Sequence, residues 1–126
     1  MRKILFLILI NFALISCSSL YNNSPMTAFI VKNTSDQPIN FKAGVLKHSQ
    51  IIGPQVIYNS FTVNPNDSII ARQTYFKKDG ENPQEWFTEF SISPVDGIDL
   101  NDPYLPENWK KSSKDQVPIY TFTLNR

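Results

Sequence analysis

From residue 27 onward, apolar positions alternate with polar ones in short runs that Pro, Gly, Asn and Asp interrupt. The runs are rich in Ile, Val, Phe, Tyr and Thr, and a period of two in such runs is typical of strands that bury one face. The pattern predicts strands over residues 27–33, 39–45, 56–63, 68–76, 86–92 and 118–124. No stretch after residue 26 carries a convincing helical period of more than two turns, so we expect an all-β domain over residues 27–126.

Six to eight strands in a domain of about 100 residues predict two antiparallel sheets packed face to face, because one open sheet would leave an apolar face in water. Between the third and fourth strands, Asn64-Pro65-Asn66-Asp67 predicts a type I turn with Pro at its second position. This arrangement of strand, proline turn and strand resembles the immunoglobulin-like and transthyretin-like β-sandwich domains of bacterial envelope lipoproteins. The Cys and Trp framework of antibody domains is missing, so the resemblance concerns architecture only.

The first 16 residues have the pattern of a removable secretory signal. Arg2 and Lys3 form a basic start, and residues 4–15 are an apolar run that only Asn11 interrupts. A helix of this length spans about 18 Å, too short to cross a hydrocarbon core of about 30 Å. A basic start, a short apolar run and a small residue are instead typical of a signal peptide.

Residues 14–17, with the sequence LISC, resemble the lipobox of bacterial lipoproteins. The resemblance implies cleavage before Cys17, a diacylglycerol thioether on its thiol and an acyl chain on its new amino group. Two or three acyl chains anchor a protein stably, whereas one does not. The alternative is an ordinary secretory signal with an incidental cysteine. Because Cys17 is the only cysteine, the domain has no internal disulfide, and we expect no catalytic role for it.

Residues 17–26 predict a polar tether between the lipid and the domain. Ser18 follows Cys17. In the enterobacterial lipoproteins that this segment resembles, a serine directly after the lipidated cysteine favours the outer membrane. The acidic cluster that directs some Bacteroidota lipoproteins to the cell surface is missing, so we expect the periplasmic face. Asp67-Ser68-Ile69 resembles the O-glycosylation pattern of Bacteroidota envelope proteins, which makes Ser68 a candidate modification site.

Charge and histidine content argue against several function classes. Removing Arg2 and Lys3 from the 12 basic residues leaves 10, against 11 acidic residues, and nucleic-acid binding needs a concentrated positive field. The single histidine, His48, has no glycine-flanked nucleophile motif or further ligands to act with. We therefore expect no enzyme activity, no cofactor and no nucleic-acid partner.

One loop offers a candidate calcium site. Asp96, Asp99 and Asp102 lie within seven residues, together with Gly97 and Asn101. Hard oxygen ligands on a glycine-containing loop suit Ca²⁺, but the spacing does not match the EF-hand pattern. The same residue types also form turns, so both interpretations stay open and our prediction is that no metal binds.

The long connection over residues 94–114 is the most informative segment, because loops of this length in compact domains are usually functional. It contains Tyr104, Leu105, Trp109 and Lys110, and residues 106–111 can form one short helical turn that begins with Pro. Aromatic residues beside lysine on a stiffened loop are typical of interface anchors. Alternatively, the apolar residues fold back and plug one end of the sandwich.

We therefore interpret the chain as a lipid-anchored, non-catalytic binding or assembly module for another envelope protein or a secretion complex. In architecture and lipobox it resembles the sandwich lipoprotein of type VI secretion. One alternative is an immunity or inhibitor protein, whose long loop plugs the active site of a periplasmic toxin or hydrolase. Another is a small-ligand or glycan binder that uses Trp86, Tyr104 or Trp109 as stacking platforms.

Overall fold

The computed structural model of the chain describes residues 27–74 and 82–126. Its strands, in chain order, are β1 (Thr27–Asn33), β2 (Ile39–Ser49), β3 (Gly53–Val63), β4 (Asp67–Thr74), β5 (Glu89–Ile92), β6 (Trp109–Lys114) and β7 (Val117–Thr123). Short 3-10 helices cover Pro83–Trp86 and Pro106–Asn108. No helix within the described ranges is long and apolar enough to cross a membrane. The predicted signal segment, Cys17, the tether and residues 75–81 lie outside them.

The strands form two sheets, which confirms the predicted all-β sandwich. One sheet has the order β4-β1-β7-β6 and the other the order β3-β2-β5. Strand β1 pairs with β4 antiparallel and with β7 parallel, and the other pairs are antiparallel. The first and last described strands are therefore neighbours in the middle of the four-stranded sheet.

The core between the sheets is unusually aromatic. Its buried members come from both sheets and include Phe29, Phe41, Phe87, Phe90, Trp109, Tyr120 and Phe122. The rings of Phe90 on β5 and Phe122 on β7 meet edge to face, with their centroids 5.5 Å apart. Phe90 also stacks on Phe41 within its own sheet, at 4.9 Å. Such pairs each add about 0.5–1.5 kcal/mol beyond the burial of their area.

The directions of the strands define two ends of the sandwich. Strand β1 runs from Thr27 to Asn33, residues 34–38 cross to the other sheet, and β2 runs back. The β2–β3 and β6–β7 turns therefore lie at the end where β1 begins, which we call the Thr27 end. Residues 34–38, residues 64–66 and the C terminus lie at the opposite end, which we call the Asn33 end.

A buried asparagine holds the Asn33 end together. The side-chain amide of Asn33 donates to the carbonyl oxygens of Gln37, at 2.7 Å, and Val63, at 3.0 Å. Its Oδ1 accepts from the backbone N–H of Ser35 at 2.9 Å. These bonds join the crossing after β1 to the end of β3, as expected for a side chain that caps a turn.

The sequence-based strand assignment is wrong in the region of residues 94–114. The predicted long connection ends at residue 108, because β6 pairs with β7 in a hairpin over Trp109–Lys114. The pattern missed β6 because its sequence, WKKSSK, carries one apolar residue. The predicted helical turn is present as the 3-10 helix Pro106–Asn108.

Other boundaries also differ. Strand β5 begins at Glu89 instead of residue 86, because the 3-10 helix Pro83–Trp86 precedes it. Strands β2 and β3 extend beyond the predicted residues 45 and 56 as a paired hairpin. The turn at residues 64–67 has the predicted bond from Asp67 N–H to the carbonyl of Asn64, at 3.2 Å. Its third residue, Asn66, has a φ of 54°, which fits type II instead of type I.

Candidate functional site

The connection over residues 93–108 covers the side of the sandwich where β5 and β6 lie. Trp109, at the end of this connection, is only 5% exposed. Its ring lies 5.2 Å from that of Phe122 and 5.6 Å from that of Phe87, centroid to centroid. Its indole N–H donates to the carbonyl oxygen of Pro103 at 2.9 Å. Trp109 therefore folds back into the core, and its ring has little exposed surface for contact with a partner.

Tyr104 and Leu105 remain at the surface, 54% and 42% exposed. The Tyr104 backbone N–H donates to Oδ1 of Asp102 at 2.9 Å, and the Tyr104 hydroxyl accepts from the backbone N–H of Phe90 at 3.2 Å. The side-chain amide of Asn108 donates to the carbonyl oxygen of Asp102 at 2.9 Å. The loop thus holds an exposed apolar pair, Tyr104 and Leu105, in a defined position.

Lys110 lies apart from this pair. It follows Trp109 on β6 and is exposed. Because successive side chains of a strand point to opposite faces, Lys110 points away from the core that Trp109 enters. Of the four predicted docking residues, Tyr104 and Leu105 are exposed neighbours on the loop, Trp109 is buried, and Lys110 is exposed on β6.

The candidate calcium ligands do not form a site. Within residues 27–74 and 82–126, no group of three or more His, Cys, Asp or Glu side chains is placed to hold a metal ion. Asp102 instead accepts the backbone N–H of Tyr104, as turn-forming aspartates do. For Asp102, this contact fits the turn interpretation.

No protein-family model, curated protein or solved structure matches the chain.

Sequence reasoning missed a second exposed feature, the β2–β3 arm, which comprises residues 45–57. Strand β5 pairs with β2 only over residues 41–44, so the two strands continue as a two-stranded hairpin beyond the sheet. At its tip, Ile51 is 94% exposed and Ile52 is 68% exposed. A signal was present in the sequence, because two adjacent isoleucines precede Gly53-Pro54 in a stretch without acidic residues.

His48 and Ser68, the other residues singled out from the sequence, are both exposed. His48 lies on the arm opposite Pro54. Ser68 lies at the start of the edge strand β4, where its backbone N–H donates to Oδ1 of Asp67 at 2.8 Å. Glycosylation of Ser68 stays a prediction.

A cleft of about 350 Å³ opens on the side of the sandwich where β3 and β4 lie, and Lys47, Arg72 and Thr74 contribute to its lining. A β-bulge shifts the register so that Ile30 faces Ile70 while Phe29 faces Arg72. The register places Arg72 opposite Phe29 next to the bulge, and its half-buried side chain donates from the guanidinium to the carbonyl oxygen of Trp86, which is exposed. Burial lowers the pKa of Arg72 from its ordinary value.

On the outer face of the three-stranded sheet, Tyr58 lies across Gly44. Gly44 pairs with Tyr58 on one side and with Glu89 on the other, and the Tyr58 hydroxyl donates to Oε2 of Glu89 at 2.9 Å. The Lys42 ammonium lies 4.3 Å from the centre of the Tyr58 ring. The hydrogen bond to Glu89, followed by burial and by the carboxylate's charge, raises the pKa of Tyr58. The ring thus ties all three strands together.

Proposed function

We propose that the chain is a lipid-anchored, non-catalytic binding module of the bacterial cell envelope, and that Tyr104 and Leu105 dock a partner protein. The observation that carries the docking surface is the loop over residues 93–108, which holds two large apolar side chains exposed. The resemblance of residues 14–17 to a lipobox supports the anchor at Cys17 and the placement on the periplasmic face of the outer membrane.

Preorganisation makes this pair suitable for binding. An interface residue on a mobile loop costs binding energy, because association must then order both the side chain and its backbone. Here the backbone of Tyr104 is bonded to Asp102, its hydroxyl is bonded to β5, and Trp109 fixes the end of the loop in the core. Tyrosine is also among the residues that most often dominate the energy of an interface. The loop therefore loses little conformational freedom on binding, so most of the free energy gained by burying Tyr104 and Leu105 is available for association.

Site-specific cross-linking in a bacterial host tests the docking surface. Benzoylphenylalanine replaces Tyr104 in one strain and Tyr58 in another, in the full chain with its own signal segment. Tyr58 is the matched control because it is also an exposed tyrosine with a bonded hydroxyl, but it lies on β3. We expect one discrete protein adduct from residue 104 and none from residue 58. Equal adducts from both positions, or adducts from neither, would contradict the docking surface.

The anchor has its own test. The N-terminal peptide of the processed chain should begin at Cys17 and carry the mass of a diacylglycerol plus an acyl chain. The Cys17→Ser variant should lose both cleavage and acyl mass. A processed chain whose Cys17 bears a free thiol would refute the lipid anchor without touching the docking surface.

The identity of the adduct separates the related functions. An envelope or secretion-complex protein supports an assembly role, and a single soluble toxin or hydrolase supports the immunity role. Absence of an adduct, combined with a change in tryptophan fluorescence on sugar titration, would favour a glycan binder that uses Trp86, which is exposed.

A further inference from the structure

We infer that the tip of the β2–β3 arm enters the surface of a lipid bilayer, with Ile51 and Ile52 as its apolar contacts. This inference rests on the proposed function, because the anchor at Cys17 is what brings the chain to a membrane. It adds an orientation: the Thr27 end faces the lipid, and the Asn33 end faces away.

The arm is the part of the described chain that reaches farthest at the Thr27 end. Lys47 on β2 and Thr74 on β4 line the same cleft, and Thr74 pairs with Thr27. Thr27 therefore lies about level with Lys47, and β2 continues for two residues more, to Ser49, before the turn at residues 50–52. At roughly 3.3 Å per strand residue, the turn that carries the isoleucines begins about 7 Å beyond the point where β1 begins.

The tip is suited to leave water because two of its backbone N–H groups are already bonded. The Ser49 hydroxyl accepts from the backbone N–H groups of Ile51, at 3.3 Å, and Ile52, at 3.4 Å. Gly53, with a φ of 82°, closes the turn opposite Ser49 in a conformation that L side chains rarely adopt. An unpaired N–H group would oppose transfer to an apolar environment, and here two of them are paired within the tip.

The charges of the arm favour the same contact with lipid, whereas the end of the β6–β7 hairpin carries Lys114 and Asp115, which balance each other. No Asp or Glu occurs between Asp36 and Asp67, whereas the arm carries Lys47 and His48. The carboxylates of Asp36, Asp67 and Asp99 belong to the Asn33 end, since Asp67 pairs with Asn33 and the Asp99 carbonyl accepts from the Arg126 N–H. An anionic bilayer attracts basic groups near its surface and repels acidic ones. A lipid surface therefore fits both the apolar side chains of the tip and the basic side chains of the arm.

The length of chain between the anchor and the domain permits this contact. Nine residues lie between Cys17 and Thr27, so ten Cα-to-Cα steps join them. Fully extended, they span at most about 35 Å, so the Thr27 end stays within reach of the bilayer that holds Cys17. The projection of the arm bridges part of that distance.

The test measures the depth of the tip in the membrane. Dansylalanine is incorporated at residue 50, beside the isoleucines, or at residue 36, at the Asn33 end. The processed chain is reconstituted in vesicles of phosphatidylcholine with one-fifth phosphatidylglycerol, which contain lipids with quenchers on their acyl chains. We expect a blue-shifted, strongly quenched emission from residue 50 and an unshifted, unquenched emission from residue 36.

Matched variants assign the effect to the isoleucines. The pair Ile51→Ser and Ile52→Ser should lose the quenching at residue 50, because removing each buried isoleucine lowers partition into lipid about tenfold or more. Ile70→Ser, which changes an exposed isoleucine on β4, should leave the quenching unchanged. All three positions are exposed, so circular dichroism should show the same folded spectrum for each variant.

The two proposals fail in different ways. If Cys17 carries no acyl chain, the lipid anchor is refuted. The tip is then tested separately, by coupling the Cys17 thiol of the same chain to a maleimide lipid before the quenching is measured. In either anchored form, equal quenching at residues 50 and 36 overturns the inference about the tip. A blue shift at residue 50 without quenching by the lipids also overturns it and indicates burial in a protein pocket or against a second copy.

Discussion

Replacing Gly44 by alanine tests how the outer face of the three-stranded sheet is packed. A Cβ atom at residue 44 would lie 2.8 Å from Cε1 of Tyr58 and 2.9 Å from Cγ1 of Val56. Carbon atoms in favourable contact are about 3.5–4.0 Å apart, so the Tyr58 ring must move by roughly 1 Å. That movement disturbs both the hydroxyl bond to Glu89 and the contact with the Lys42 ammonium.

We expect Gly44→Ala to lower the free energy of unfolding by about 1–2 kcal/mol, within the usual cost of overpacking. Urea unfolding at constant slope measures this change. The decisive comparison is the same substitution in a background that carries both Tyr58→Ala and Val56→Ala, where neither close side chain is present. There we expect a cost below about 0.5 kcal/mol, since alanine in a strand is intrinsically better than glycine by about 0.5–1 kcal/mol.

A control substitution separates packing from backbone strain. At Gly97, which has a φ of 77°, an added Cβ would meet nothing within 4 Å. Gly97→Ala should therefore be destabilising through its backbone alone and should cost the same with or without the Tyr58 ring. If Gly44→Ala cost equally much in both backgrounds, the side chains of Tyr58 and Val56 would not be its obstacle and the packing argument would be wrong.

Three further predictions concern stability. The raised pKa of Tyr58 means that the folded chain holds the phenol proton more tightly than the unfolded chain does. The bond to Glu89 therefore contributes stability below about pH 10, and this stability is lost as the pH rises through the folded pKa. Tyr58→Phe should flatten the pH dependence of the free energy of urea unfolding over that window, and an unchanged profile would contradict this. Asn33→Ala should cost about 2–4 kcal/mol in thermal or urea unfolding, because it leaves several partners of a buried amide unpaired, and a cost below 1 kcal/mol would speak against the network. Trp109→Ala should cost about 3–5 kcal/mol by leaving a core cavity. Tyr104→Ala should cost only about 0.5–1.5 kcal/mol, since it loses one hydrogen bond to the backbone of Phe90, and similar costs for both would undermine their assignment to core and surface.

The alternation of apolar residues carried most of the information about the fold. It predicted β1 with the bounds that the structure has, because Phe29 and Val31 are buried in the core while Ile30 and Lys32, which alternate with them, are more exposed. It failed at β6, whose side chains are mostly exposed and which forms through its hydrogen bonds to β7. A strand that is held by pairing alone leaves no period in the sequence.

Accidental alternation misled the prediction of β5. Trp86, Thr88 and Phe90 alternate, but the buried residues are Phe87 and Phe90, three positions apart, because Pro83 begins a 3-10 helix. The site was predictable only in part, for a similar reason. Composition selected the loop that carries Tyr104 and Trp109, yet only the tertiary packing decides which aromatic side chain is buried.

The parallel pairing of β1 with β7 constrains when the molecule can fold. Ala28 pairs with Ile119, and Thr34 bonds to the side chain of Asn125, 91 residues away along the chain. The middle of the four-stranded sheet thus stays incomplete until β7 has been synthesised, and pairing across such separations is slow. While the chain is being made, β1 waits about 90 residues for this central neighbour, so the synthesis of β7 acts as the trigger for folding of the sheet.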